Sequence, residues 1–269
     1  MNKVLHVFGD SFSALSKTPL NSRVDVAQHP DWQWYVSLAN RLGTDLRVTA
    51  EFGVANDWIL LNLLHCLEDF KSGDKVIVQT TQAARHWFFE SKPFVSNVHG
   101  IRNNLVKEGI LTKEQAKTLE LYYKHIQTEE KDQLQQEKTF SFISSMKWIL
   151  NHSNVELIIL PGFDQPNIVP IAGAGVVGTM QTIAKNEFID HNAGMAWYAQ
   201  PNLPDQRLNH MCKDNHVILT DRLYDQIKNK TKLNLVDGYY SRFLSIATQQ
   251  ADQLSPNPIN GSPNPISPT

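Results

Sequence analysis

At 269 residues, 41% hydrophobic and 19% charged, the chain has the composition of an ordinary soluble globular protein and the length for one large core, alone or with an appendage. A net charge of -2 leaves no electrostatic footprint for nucleic acid or an anionic membrane, and no apolar stretch approaches the roughly 18 to 20 residues that span a bilayer. The two cysteines, Cys66 and Cys212, form neither a CxxC pair nor a metal-spaced cluster, which excludes a disulfide framework and a zinc site and points to a reducing compartment.

The N-terminus shows no basic region, long apolar core and cleavage site, so the protein is expected to begin at Met1 and to be cytoplasmic. Its first element is the apolar run Val4-Leu5-His6-Val7-Phe8, which reads as a strand buried on both faces, followed at once by Gly9-Asp10-Ser11. Ligands of open α/β sheets gather outside the carboxyl ends of the strands, so Ser11 is a candidate nucleophile; the plainer alternative is that Asp10 or Ser11 caps the next helix. A polar, proline-containing stretch from Ser16 to Pro30 leads to Trp32, Trp34, Tyr35, Leu38, Ala39 and Leu42 at helical spacing, stopped by Gly43. Leu46 to Ala50 predicts a second strand leading to Gly53. Asn56 or Asp57 can cap a helix through Trp58, Leu61, Leu64 and Leu67 to Gly73, with Cys66 inside it as a small buried hydrophobe. Lys75 to Thr80 predicts a third strand. This alternation argues for βαβ units and a parallel sheet covered on both faces.

From about residue 97 to 151 the pattern becomes a long, charge-rich helical region, read as an insertion with solvated helix faces. Val155 to Leu160 predicts a fourth strand closed by Pro161-Gly162. Gly173-Ala174-Gly175-Val176-Val177-Gly178 satisfies GxGxxG, but Pro170 spoils the strand that a dinucleotide fingerprint requires, so a close-packed turn or an active-site loop is expected, without a cofactor. The last helix runs from about Asp214 through Leu219 and Leu223 to Ile227. The domain is thus expected to span 1–250, leaving 251–269 as a flexible Pro/Asn/Ser-rich tail in which Ser-Pro-Asn-Pro-Ile occurs twice, a segment suited to tethering another protein.

A serine hydroxyl is a poor nucleophile until a base takes its proton, so Ser11 needs a histidine brought in by the fold. Of the ten histidines, His210 is best placed, on a loop just before the last helix; His216, His191 and His152 are the other candidates.

These residues resemble the SGNH (GDSL-like) hydrolases, especially divergent members found in phage genomes. Phe8-Gly9-Asp10-Ser11-Phe12-Ser13 is similar to the family's first block. Trp34, Leu38 and Gly53-Val54-Ala55-Asn56-Asp57-Trp58-Ile59 are similar to the second. Val76 to Thr81 followed by Arg85 resembles the third strand with its arginine, and Asn209-His210-Met211 followed by Asn215-His216 resembles the block that carries the base. The resemblance implies a flavodoxin-like three-layer α/β/α sandwich with a central parallel sheet, here with a helical insertion. It implies an acyl-serine mechanism in which Ser11 attacks an ester carbonyl, His210 shuttles the proton and the amides of Ser11 and Gly53 hold the oxyanion.

The chain departs from the family pattern twice. Thr80-Thr81-Gln82 stands where the family has Gly-x-Asn-Asp, so the third oxyanion donor is assigned to Asn56, with Gln82 a weaker substitute and helix capping the alternative role for Asn56. The family's acid falls on Arg207, so the acid is assigned to Asp205, with Asp214 as the alternative. Arg85 is a candidate for substrate binding or for an ion pair with a structural carboxylate. The expected activity is hydrolysis of small acyl esters, O-acetylated carbohydrates among them, without metal, nucleic-acid or membrane partners. Trp32, Trp34, Trp58 and Trp87 could stack on a sugar or pack the core. The competing expectation is a catalytically weakened binding or virion-associated protein on the same fold.

Overall fold

A computed structural model describes residues 3–14, 33–51, 53–82, 85, 106, 109, 111–126, 129–152, 154–163, 176–187, 211 and 213–239. Four strands, β1 (Val4–Gly9), β2 (Asp45–Ala50), β3 (Lys75–Gln79) and β4 (Glu156–Leu160), form one parallel sheet in the order β2-β1-β3-β4. That is the strand order of a flavodoxin-like sheet as far as four strands run. The described helices are α1 (Trp34–Leu42), α2 (Asn56–His65), α3 (Lys113–Ile126), α4 (Glu129–Asn151), α5 (Met180–Glu187) and α6 (Lys213–Asn229). A separate parallel pair joins β5 (Val176–Val177) to β6 (Leu233–Asn234).

Side chains of the buried strands alternate between two cores, as the period of two requires. Leu5, Val7, Ile77, Ile158 and Leu160 face α1 and α6, where Trp34, Leu38, Leu219 and Leu223 complete one core. Phe8, Val76, Val78 and Ile159 face α2 and α4, where Ile59, Leu63, Ile143 and Met146 complete the other. The result is a three-layer α/β/α sandwich. No described helix is long and apolar enough to cross a membrane.

The β5–β6 pair was not expected from the sequence, and two of the expected elements differ from their predicted form. The second helix was expected to reach Gly73 but ends at His65, followed by a short 3-10 turn over Leu67–Asp69. Phe70 then turns extended, with its ring edge-on to His6 at 4.8 Å and near Phe8, while Asp74 accepts the amides of Val4 and Lys71 at 2.9 Å. Covering His6 and entering β3 thus ends the helix early. The stretch expected as an insertion divides as well. Phe142, Ile143, Met146 and Leu150 of α4 are buried against the sheet beside α2, so the carboxyl half of α4 is the crossover from β3 to β4. Gly178, the third glycine of the GxGxxG match, turns β5 toward α5 at φ +81°, packed against Leu235 and Val236. The 251–269 tail lies outside the described residues.

Candidate active site

β1 feeds a tight turn. The Ser13 amide donates to the Asp10 carbonyl at 2.9 Å, placing Ser11 and Phe12 at the two central positions. The Asp10 side chain is fully buried; its Oδ1 accepts the Phe12 amide at 3.0 Å, the local bond by which an aspartate stabilises such a turn. Neither Asp10 nor Ser11 caps a described helix: α1 starts at Trp34, with Gln33 as its N-cap. Ser11 is half-buried. Because β2 lies on one side of β1 and β3 on the other, this turn stands where the strand order reverses, the crevice in which open α/β sheets bind ligands.

Gly53 is buried three residues beyond β2. Gly9 pairs with Ala50, and Glu51 N–H donates to Gly9 O at 3.3 Å, so Gly53 follows the strand end beside the Ser11 turn. Its φ of +68° is a conformation that glycine adopts without strain.

Asn56 begins α2, but the capping position belongs to Ala55, with no side-chain cap bond. The buried Asn56 carboxamide instead reaches the end of β3: Oδ1 accepts the Thr81 amide at 2.9 Å, and Nδ2 donates to Thr81 O at 3.0 Å and to Thr139 Oγ1 at 3.4 Å. Both Nδ2 hydrogens have acceptors, so Asn56 could serve an oxyanion only by releasing one of them. Gln82 is exposed.

Arg85 is turned inward. Its Nη1 lies 2.9 Å from Asp10 Oδ2, 2.5 Å from Thr81 Oγ1 and 3.5 Å from Val54 O, and its Cζ stands 4.9 Å from the centre of the Phe163 ring. Thr81 Oγ1 donates to the same Asp10 oxygen at 2.8 Å.

His210 and Asp205 lie outside the described residues, as do His191, Trp32 and Trp87. Met211, next to His210, is buried in the core that also holds Phe12 and Trp34. His216 is buried in α6, where its Nδ1 accepts the Trp34 amide at 3.3 Å, which requires an unprotonated Nδ1. Asp214, the alternative acid, is exposed in the first turn of α6. Trp34 is fully buried and donates its indole N–H to Phe12 O at 3.2 Å, so it packs the Ser11 turn from beneath rather than offering a sugar platform.

Three residues of the site were not singled out from the sequence, although Gln79 and Thr81 lie in the block that resembles the family's third strand. Gln79 Oε1 accepts both the Asp10 amide and the Ser13 hydroxyl at 3.0 Å, and its Nε2 donates to Thr80 O at 2.8 Å. Thr81 and Thr139 complete the bonding of Asn56 and Asp10. A polar residue closing an otherwise apolar strand was the available sign for Gln79; for Thr139, on a charge-rich helix, there was none.

No family model matches the chain, and no curated protein matches it. Among solved structures it is similar to the psychrotrophic esterase EstA of a Pseudoalteromonas species, at 13% identity and TM-score 0.39 over 85% of this chain and 98% of that one. It is also similar to an acetyl xylan esterase, Est2A, from the rumen bacterium Butyrivibrio proteoclasticus, at 14% identity and TM-score 0.43 over 85% of this chain and 64% of that one. A third similar structure is protein YXIM of Bacillus subtilis, at 10% identity and TM-score 0.34 over 94% of this chain and 47% of that one.

Proposed function

We propose that the chain hydrolyses small acyl esters through an acyl-serine intermediate on Ser11. The observation that carries this reading is the placement of Ser11, a half-buried residue on a braced turn at the strand-order reversal, with Gly53 after the adjacent strand end. In the proposed reaction the Ser11 oxygen attacks the ester carbonyl carbon while His210 takes its proton. The amides of Ser11 and Gly53 receive the developing oxyanion. His210 returns the proton to the departing alcohol, and a water molecule repeats the sequence on the acyl-enzyme to release the acid. Asp205 orients the imidazole, with Asp214 the alternative. Support for His210 comes from its neighbour Met211, which is buried in the same core cluster as Phe12. An O-acetyl group on a carbohydrate is the substrate that the SGNH resemblance implies.

One observation favours binding without turnover: the Asn56 carboxamide is already engaged by Thr81 and Thr139, leaving two backbone amides for the oxyanion. Labelling with a fluorophosphonate separates the two readings. Wild type is expected to be labelled, Ser11→Ala not at all, and His210→Ala at least about 10³-fold more slowly. A folded wild type that takes no label overturns the esterase reading in favour of binding. Hydrolysis of p-nitrophenyl acetate by Asp205→Ala and Asp214→Ala then identifies the acid, since only the variant lacking it should lose activity.

A further inference from the structure

We propose that Arg85 is a positioning residue which, through Asp10, sets the spacing between the two backbone amides that receive the oxyanion; this rests on the serine-esterase reading of Ser11 and Gly53. Its Nη1 contacts groups following three different strands: Asp10 Oδ2 after β1, Val54 O after β2 and Thr81 Oγ1 after β3. Two of these contacts, with Asp10 and with Val54, border a candidate donor. The other oxygen of Asp10 holds the Phe12 amide, and Gln79 holds the Asp10 amide, so the peptides on both sides of the Ser11 N–H are pinned. Val54 O belongs to the residue directly after Gly53. The two Nη1 hydrogens are taken by Asp10 and Thr81, so the Ser11 turn is held by hydrogen bonds and the Gly53 turn by the longer 3.5 Å approach of the same nitrogen to Val54 O.

The surroundings of Arg85 argue for this role over contact with substrate. Its side chain is only 12% exposed, the Asp10 side chain is fully buried, the Phe163 ring covers the guanidinium, and its Nε is buried without a hydrogen-bond partner among the described residues. A lysine would keep the charge but not the rigid planar fork. A donor displaced by a fraction of an ångström from the oxyanion loses most of its effect, so loosening this tie should lower the rate of the chemical step and leave ground-state binding intact.

The test measures fluorophosphonate labelling rates for wild type, Arg85→Lys, Asp10→Asn and the double variant, with thermal melts to establish that each is folded. Steady-state hydrolysis of p-nitrophenyl acetate and of the anionic mono-p-nitrophenyl succinate accompanies it. Each single variant is expected to label roughly 10- to 10²-fold more slowly, with kcat reduced and KM little changed on both esters. The double variant should be no slower than the slower single, because both substitutions cut one tie. Should the buried substitutions fail to fold, Thr81→Val, which keeps both charges, should still slow labelling roughly three- to tenfold. Wild-type labelling rates in Arg85→Lys, multiplicative losses in the double variant, or a KM increase confined to the succinate ester would each overturn the positioning role while leaving the esterase reading standing. A wild type that takes no label at all would overturn both.

Discussion

At the scale of single residues, the Ser11 turn depends on side chains that perform no chemistry. The Gln79 carboxamide lies in a slot between two glycines: a Cβ on Gly9 would fall 2.6 Å from Gln79 Oε1, and one on Gly162 would fall 2.5 Å from Gln79 Nε2 and 2.0 Å from the Thr80 carbonyl oxygen. The second clash is with backbone, which cannot rotate away. Gly162→Ala is therefore expected to destabilise the fold by about 3 kcal/mol or more, read as a lowered urea midpoint. Of this residue-scale detail, Gly9, Ser11 and Gly53 were legible because short motifs mark them. The roles of Gln79 and Thr81 were not, since the bonds they make to Asp10 and Asn56 join strand ends distant in sequence, and the block they lie in does not reveal those partners.

At the scale of elements, α4 shows why charge content misleads about burial. Its 23 residues extend about 35 Å, at about 1.5 Å per residue, whereas the five- and six-residue strands it crosses extend roughly 17 to 20 Å. One helix can therefore combine a charged stretch with one that buries a face against the sheet. Ile143→Ala and Met146→Ala should each cost roughly 2 to 5 kcal/mol of unfolding free energy, against roughly 0.5 kcal/mol or less for the exposed Ser144→Ala. Equal, small effects in urea denaturation would return this segment to the solvated insertion that its composition suggests. The four strands of the main sheet, by contrast, were legible to within a residue at each end: β1, β3 and β4 are buried and read as apolar runs, while the edge strand β2 is partly exposed and was marked by its short β-prone run before Gly53.

At the scale of the whole molecule, the amino ends of the sheet hold a titrating pair that couples the fold to pH. Burial pushes the His6 imidazole below its ordinary value of 6.5, outweighing the upward pull of Asp74, whose Oδ2 lies 3.5 Å from His6 Nε2. Burial also pushes the Asp74 carboxyl up, but the amides of Val4 and Lys71, together with His6, bring it below its ordinary 3.8. The native state thus takes up protons later than the unfolded chain at both groups, so the pair's contribution to stability is complete above pH 6.5, declines below it as the unfolded chain binds the proton that buried His6 resists, and falls again below pH 3.8 as the unfolded carboxyl does the same. The melting temperature should follow that course, and His6→Leu should flatten the arm that begins at pH 6.5 while leaving the one that begins at pH 3.8. An unchanged profile in the variant would remove His6 from the account.

The sequence alone determined the parallel α/β class, the strand ends and the placement of a serine beyond the first of them. All of these follow from hydrophobic period and local turn chemistry, which act over a few residues. Tertiary structure decided that Arg85 faces Asp10, that Asn56 is bound by Thr81 and Thr139, and that the charge-rich stretch supplies a crossover helix. These are contacts between residues 25 to 83 positions apart, and the order in which strands assemble, rather than any local pattern, brings them together.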